Sequence, residues 1–292
     1  MTDKIFKRSA FLTALSFCLF SFVGDEAMSH YELGMENLKD KHYVQAIGDF
    51  TNAISIKHSF GDAYYQRAKS KYLLGVQVGF FSTDLCYDLI SAIEYGTDSA
   101  IDMLKEKSKV QCHTLNTIEA DPDLVFCADF SSKTLTKMPV GSSKLDFMVY
   151  LNLFDNNFTS LPAEVLNYKH LIHLDMSSNK LKTISGDFSK TPYITELNFA
   201  KNQISFLPSS IFELSKLKQL YMRQNNLKSI PAEIAQLKKL EELDLSFNEL
   251  TGFPQELKQM KHLKQLVLAG NSFTHGQMRD LEKALPNTKI YF

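Results

Sequence analysis

Histidine, cysteine and carboxylate residues are the side chains of this sequence that can carry chemistry, and their spacing does not favour a catalytic centre. The eight histidines are dispersed, and only His170 and His173 lie close enough in sequence to share a metal ion. The sequence has no H-E-x-x-H, G-x-S-x-G, paired C-x-x-C or phosphate-binding glycine loop. We therefore predict no enzyme, no cofactor and no metal site, and we interpret both histidines as surface residues.

The four cysteines leave two interpretations open. Cys18 falls in an apolar N-terminal stretch, and removal of that stretch would leave Cys86, Cys112 and Cys127. An odd number does not match the disulfide framework of a small secreted domain. Either Cys112 and Cys127 form one bridge across a domain junction, or all three are free and mostly buried thiols.

The N-terminus has the layout of a secretory signal peptide, which we place at 1–24. Lys4, Lys7 and Arg8 precede an uncharged, mostly apolar run from Ser9 to Gly24. The run is short for a membrane span, which needs about 20 residues. We predict a secreted or periplasmic, cell-envelope protein of bacterial type; the alternatives are an uncleaved membrane anchor and a lipoprotein modified at Cys18.

The bulk composition is that of an ordinary folded protein. Hydrophobic residues make up 44% of the chain and charged residues 22%, so disorder is not expected. The formal net charge is -1, which disfavours nucleic acid and anionic membrane surfaces as partners. Any membrane contact is expected only through the N-terminal segment.

A repeat of 23 residues organises the second half of the chain. In "LEELDLSFNEL", which begins at Leu240, apolar residues occupy positions 1, 4, 6 and 11 of the repeat, and asparagine occupies position 9. Alternation in "LDL" indicates a short strand with one face inward. Proline at position 15 in five repeats and a subsequent spacing of three indicate an outer helical or 3₁₀ segment.

Asparagine recurs at position 9 in six of seven repeats. A buried carboxamide is costly unless paired, so we predict a ladder in which each amide bonds to the backbone of adjacent repeats. The ladder residues are Asn156, Asn179, Asn202, Asn225, Asn248 and Asn271.

These residues resemble the leucine-rich repeat, and the nearest variety is the 23-residue type of bacterial proteins and plant Ras-group-related proteins. The resemblance implies an α/β solenoid with a parallel sheet on its concave face. We assign 125–292 to a domain of seven such repeats, whose C-terminal cap is a longer helix followed by a terminal strand, "KIYF".

The segment 27–109 resembles tetratricopeptide repeats, which are pairs of helices. Leu33, Gly34, Tyr43, Ala46 and Phe50 fall at the spacing of that family, and a second, degenerate copy begins at 61. The resemblance implies a small all-α module before the solenoid. Residues 110–124 are then a linker or cap.

The concave face, formed by positions 3, 5 and 7, is the surface on which we expect a protein or peptide partner. Most of its residues are small or polar, which predicts a solvated sheet, but aromatic and arginine side chains are favoured binding anchors. We predict two clusters on this face, one of aromatic residues and one formed by Tyr221 and Arg223 between strands that carry glutamate. The alternative is that Arg223 only forms ion pairs with these acidic neighbours. The predicted site residues are Tyr150, Phe154, His173, Glu196, Tyr221, Arg223 and Glu242.

Two other functions remain open at this stage. The chain could be an envelope scaffold or adaptor that acts through its helical repeats, or a glycan-binding protein that uses the aromatic pair Tyr150 and Phe154.

Overall fold

A computed structural model describes residues 24–78, 84–108, 127–140, 142 and 145–292. The chain divides into two compact units, with the boundary between Leu104 and Lys105. The first 23 residues, which hold nearly all of the predicted signal peptide, lie outside the described residues, as do 110–124. No helix in the described part of the chain is both long enough and apolar enough to cross a membrane.

The first unit consists of helices that pack as consecutive hairpins. Helix α1 covers 24–39, and the others are α2 (Tyr43–Ile56), α3 (Gly61–Val78), α4 (Asp84–Glu94) and α5 (Ser99–Ser108), the last of which runs across the unit boundary. Gly34 lets α1 and α2 approach closely, because a Cβ atom there would lie 2.7 Å from the Phe50 ring. Tyr31 fills the same interface, with its ring centroid 5.7 Å from that of Phe50 and 4.9 Å from that of Phe60.

A buried carboxylate joins three helices of this unit. Asp88 on α4 accepts two hydrogen bonds from Arg67 on α3, at 3.0 and 2.7 Å, and its second oxygen lies 2.9 Å from Lys71 Nζ. Arg67 also donates to Thr51 Oγ1 on α2. Because Asp88 is only 4% exposed, the two cations are what make its burial tolerable.

The second unit is the predicted α/β solenoid with a parallel sheet. Eight short strands lie in chain order, and each pairs in parallel with the next in unbroken register. The strands are β1 (Cys127–Asp129), β2 (Tyr150–Asn152), β3 (His173–Asp175), β4 (Glu196–Asn198), β5 (Gln219–Tyr221), β6 (Glu242–Asp244), β7 (Gln265–Val267) and β8 (Lys289–Tyr291).

In five repeats the return path is a 3₁₀ turn, which the shift of spacing predicted. Turns at Ala163–Asn167, Ser209–Glu213, Ala232–Gln236 and Gln255–Gln259 each follow a proline whose φ of about -70° suits the start of a helical turn. The repeat without this proline begins its turn, Phe188–Lys190, with Asp187, whose side chain accepts from the Ser189 amide.

The interior between sheet and turns is a continuous apolar core. It contains positions 4, 6 and 11 of the repeats, and the central leucines Leu197, Leu220 and Leu243 are at most 1% exposed. Helix α6 (His275–Ala284), which starts with a Thr274–Gln277 capping box, and strand β8 complete the unit. A helix and a strand are therefore found where the sequence predicted them.

The chain turns out of the sheet through the same backbone conformation in every repeat. Position 8 has a left-handed φ between 53° and 71° in seven successive repeats, at Ser132, Asp155, Ser178, Lys201, Gln224, Phe247 and Gly270. Small or polar residues tolerate this region best, and for a bulky residue it is an outlier. Phe247, with φ 53°, is that outlier.

Cys86 and Cys127 differ in their bonding. Cys127 is disulfide-bonded, whereas Cys86 is a free thiol, 4% exposed, whose pKa is raised by burial to about 12. The interpretation of three free thiols is therefore wrong for Cys127. Its predicted partner, Cys112, lies outside the described residues.

Candidate binding surface

A spine of asparagine side chains fixes the edge of the sheet where the binding surface ends. In each of the six repeats that contain it, Nδ2 donates to the position 6 carbonyl of its own repeat and of the preceding one, while Oδ1 accepts the position 11 amide of the preceding repeat. For Asn225 these partners are Met222, Phe199 and Ile204, at 3.0, 2.9 and 2.9 Å. The spine holds neighbouring repeats at a fixed spacing, so side chains on the concave face are pre-positioned.

Position 5 of the concave face is partly exposed and also has a structural role, which the sequence interpretation did not include. Where this residue is Asp or Asn, its Oδ1 accepts the amide of position 7 at 2.8–3.1 Å and closes an Asx turn. Five residues do this: Asp129, Asn152, Asp175, Asn198 and Asp244.

Tyr221 and Val267 are the described position 5 residues that cannot form this turn. The Tyr221 hydroxyl instead donates to Glu242 Oε2 at 2.7 Å, across to the next strand. Burial and the neighbouring Glu242 carboxylate raise the pKa of the Tyr221 phenol, so it stays protonated and keeps donating. The half-buried ring is thereby held in place without serving the repeat backbone.

Arg223 is oriented by an aromatic ring and not by the acidic residues that the sequence suggested. Its guanidinium carbon lies 4.5 Å from the centroid of Phe247, and no ion pair to Arg223 is found among the described residues. The Phe247 ring in turn covers Gly270, where a Cβ atom would come within 2.7 Å of it. The alternative in which Arg223 pairs with its acidic neighbours is therefore replaced by a cation–π stack.

The neighbours of Arg223 at position 7 are small. Ala200 and Ser246 occupy this position on the flanking repeats, and Ser246 is fully buried. Lys201, at position 8 of the preceding repeat, is exposed, and it too has no ion pair in the described part of the chain. We call Tyr221, Arg223 and Phe247 the C-terminal anchor cluster.

The other predicted cluster contains a stacked pair and a low-pKa carboxylate. The rings of Tyr150 and His173 stack at 4.0 Å with 2° between their planes, and Phe154 lies exposed further along its strand. His173 Nδ1 is 3.1 Å from Glu196 Oε2 on the next strand.

Titration in this cluster follows from burial and charge. Burial raises the pKa of Glu196, but contact with His173 and the charge of Lys105 outweigh it and lower the pKa to about 2. Burial, with the charges of Asp175, Glu196 and Asp129, raises the pKa of Tyr150 to about 12.

The histidines are not surface residues, which corrects the sequence interpretation. His170 is 3% exposed and His173 is 4% exposed, because both lie within stacks of aromatic rings. Phe147 and Tyr193 lie on either side of His170, with centroid distances of 6.0 and 6.4 Å. Among the residues that the structure describes, no group of histidine, cysteine and carboxylate side chains is arranged to hold a metal ion.

Phe247 is the member of the anchor cluster that sequence reasoning missed. The frame singled out positions 3, 5 and 7, and Phe247 is at position 8. The signal was present in the sequence, because the other repeats carry small, polar or charged residues or glycine there. Only the shared left-handed φ shows why an aromatic side chain is unusual at this position.

Comparison with known proteins identifies the repeats. A family model described as leucine rich repeat matches residues 148–204, 192–250 and 223–273. These overlapping matches lie within the parallel-sheet unit, so this part of the chain carries leucine-rich repeats, and no enzyme family is indicated. No curated protein sequence is significantly similar to the chain.

Several solved structures are similar to part of the chain. A leucine-rich repeat protein of Leptospira interrogans is 32% identical, with 55% of this chain and 46% of that chain covered and a TM-score of 0.47. An internalin of Listeria monocytogenes is 17% identical over 58% of this chain and 55% of its own, with a TM-score of 0.47. Internalin C2 of the same species is 24% identical, with 59% of this chain and 72% of that chain covered and a TM-score of 0.49. The chain thus spans about half the length of the first two.

Proposed function

We propose that the leucine-rich repeats of this chain bind a protein or peptide partner on their concave face, through the C-terminal anchor cluster, and that the protein is not an enzyme. A rigid sheet with its side chains already ordered loses little entropy on binding. Tyr and Arg are the residue types most often found at interface hot spots.

One observation carries this proposal: the departures from the rules at positions 5 and 8 of the repeat coincide in space. Tyr221 and Val267 replace the Asx residue at position 5, and Phe247 occupies a left-handed position. All lie on strands β5 to β7 or immediately after them. Residues that break a structural rule without helping the fold are expected at functional sites.

The proposal is tested by crosslinking followed by affinity measurement. A photo-reactive amino acid at Gln224, an exposed residue beside Arg223, should capture the partner in cells that make the protein, and the same group at the exposed Glu213 on a 3₁₀ turn is the control. The captured partner is then titrated against the full chain and against the Tyr221→Ala, Arg223→Ala double variant. An unchanged Kd would reject the site.

The remaining concave residues enter the proposal with secondary roles. Tyr150, His173 and Glu196 form a pre-ordered group at the other end of the sheet, and Phe154 offers an exposed ring near it. Because one face of the Tyr150 ring is covered by His173, we rank the glycan-binding alternative below protein binding.

The helical unit supports a second candidate function, that of a scaffold. Met28, Leu33 and Met35 on α1 are 43%, 47% and 38% exposed and are available for contact with a partner. We propose that α1 to α4 are tetratricopeptide-like pairs, a view supported by the Gly34–Phe50 packing. If Met28→Glu with Met35→Glu releases the captured partner while the Tyr221, Arg223 variant retains it, the scaffold function is the correct one.

For location, we propose export to the cell envelope or beyond, with removal of a leader near residue 24. N-terminal sequencing of the mature protein checks this proposal. A chain that still begins at Met1 and sediments with membranes would indicate the anchored alternative.

A further inference from the structure

We infer that the C-terminal anchor cluster recognises an acidic side chain of the partner, an Asp or Glu, that is flanked by an apolar residue. This inference rests on the proposed function and names the chemistry of the occupant. It follows from the unpaired cations, the stacked ring and the small neighbouring residues described above.

The Phe247 ring orients the Arg223 side chain. This side chain is exposed, and its guanidinium carbon lies over the Phe247 ring, 4.5 Å from the ring centroid. Stacking uses the face of the planar group and leaves its N–H edges directed outward. A planar fork of donors is the group that binds a carboxylate through two parallel hydrogen bonds.

The charged side chains around position 7 favour a negatively charged group of the partner. Arg223 and Lys201 lie on successive repeats at the carboxyl ends of the strands, and neither has an ion-pair partner among the described residues. The nearest acidic position on the next strand, Asp244, already accepts the amide and hydroxyl of Ser246 through Oδ1. Glu196 and Glu242 lie at position 3, toward the amino ends of the strands. The local charge at position 7 is therefore complementary to an anion.

The exposed Phe247 ring favours an apolar residue next to the acidic residue of the partner. The Phe247 ring is 47% exposed although Arg223 covers part of it, and Val267 lies half-exposed on the following strand. The left-handed φ of 53° at Phe247 is unfavourable for a bulky side chain. Strain of this kind persists where the surrounding structure enforces it, and it is found preferentially at binding sites. An aliphatic side chain beside the carboxylate would bury this ring.

The test uses a library of displayed random peptides as the probe and the immobilised full chain as bait. Selection is repeated with Arg223→Gln, with the charge-reversed Arg223→Glu, and with Lys228→Glu as a matched control on the same repeat. We expect wild-type peptides rich in Asp or Glu beside an apolar residue, about tenfold weaker binding by Arg223→Gln, and loss of acidic enrichment with Arg223→Glu. Lys228→Glu should select the same peptides as the wild type.

The outcomes separate the inference from the function on which it rests. Peptides that lose affinity with Tyr221→Ala but contain no Asp or Glu would overturn the inference and leave concave-face binding intact. Recovery only of peptides that ignore Tyr221 and Arg223 would overturn both. A single-stranded oligonucleotide and phosphatidylserine vesicles are tested in parallel, and Arg223-dependent binding to either one in place of acidic peptides would also overturn the inference.

Discussion

Asn225 Nδ2 donates to the carbonyl oxygen of Phe199 at 2.9 Å, which joins one repeat to the repeat before it. The same carboxamide accepts the Ile204 amide, so a single side chain satisfies backbone groups of both repeats. This relationship recurs along the solenoid and makes the concave face rigid, which is the property that the proposed function requires.

Replacing Asn225 by Leu should destabilise the solenoid by about 3 kcal/mol, because it leaves buried backbone groups unpaired at roughly 1–3 kcal/mol each. The adjacent Asn226 is exposed, so Asn226→Leu is the control and should change the free energy of unfolding by less than about 0.5 kcal/mol. Chemical denaturation monitored by circular dichroism measures both. Equal losses in the two variants would contradict the account of the spine.

Asp88→Ala should destabilise the helical unit by about 3–5 kcal/mol, since Arg67 and Lys71 would be left half-buried without their counter-charge. Hydrogen exchange of the α3 and α4 amides reports this loss separately from the solenoid. Glu36→Ala, on the exposed face of α1, provides the control. Unchanged protection in Asp88→Ala would show that the charge network does not hold the helices together.

Phe247→Asn should cost about 1 kcal/mol less than Phe206→Asn, since asparagine accepts a left-handed φ and phenylalanine does not. The two rings are similarly exposed, at 47% and 54%, but only Phe247 has a positive φ. Thermal unfolding of the two variants gives the comparison. If both substitutions cost the same, the backbone at Phe247 is not strained.

Acid titration should reveal the low pKa of Glu196. Its pKa of about 2 in the folded state lies below the ordinary 4.5, so its contribution is present above pH 4.5 and is lost as the pH falls toward 2. The stability difference between wild type and Glu196→Gln should therefore shrink by about 2 kcal/mol across that range. Glu213→Gln, on the exposed 3₁₀ turn, should show no such dependence; a parallel slope in both variants would refute the assignment.

The sequence alone predicted the solenoid because its signal repeats in phase. The asparagines, the position 15 prolines and the alternating leucines each reflect one local requirement that every turn of the coil must meet. The repeat frame placed Tyr221, Arg223 and Glu242 on the concave face, and Tyr221 and Arg223 were selected there because their residue types are favoured binding anchors.

The remaining features depend on geometry that composition does not encode. The Arg223–Phe247 stack joins position 7 of one repeat to position 8 of the next, and its significance rests on a φ value. His170 and His173 were placed on the surface because single histidines usually are, whereas aromatic neighbours one repeat away bury them. Asp88 pairs with Arg67 and Lys71, which lie on another helix. The helical repeat that contains them is too degenerate for this pairing to be predicted from residue spacing.

The Kd of the crosslinked partner for the Tyr221→Ala, Arg223→Ala double variant tests the central claim most directly. Calorimetry on the full chain should show at least a tenfold weaker complex than wild type, whereas Phe206→Ala, outside the cluster, should bind normally. Wild-type affinity in the double variant, with its folding intact, would contradict the assignment of this face as the binding surface.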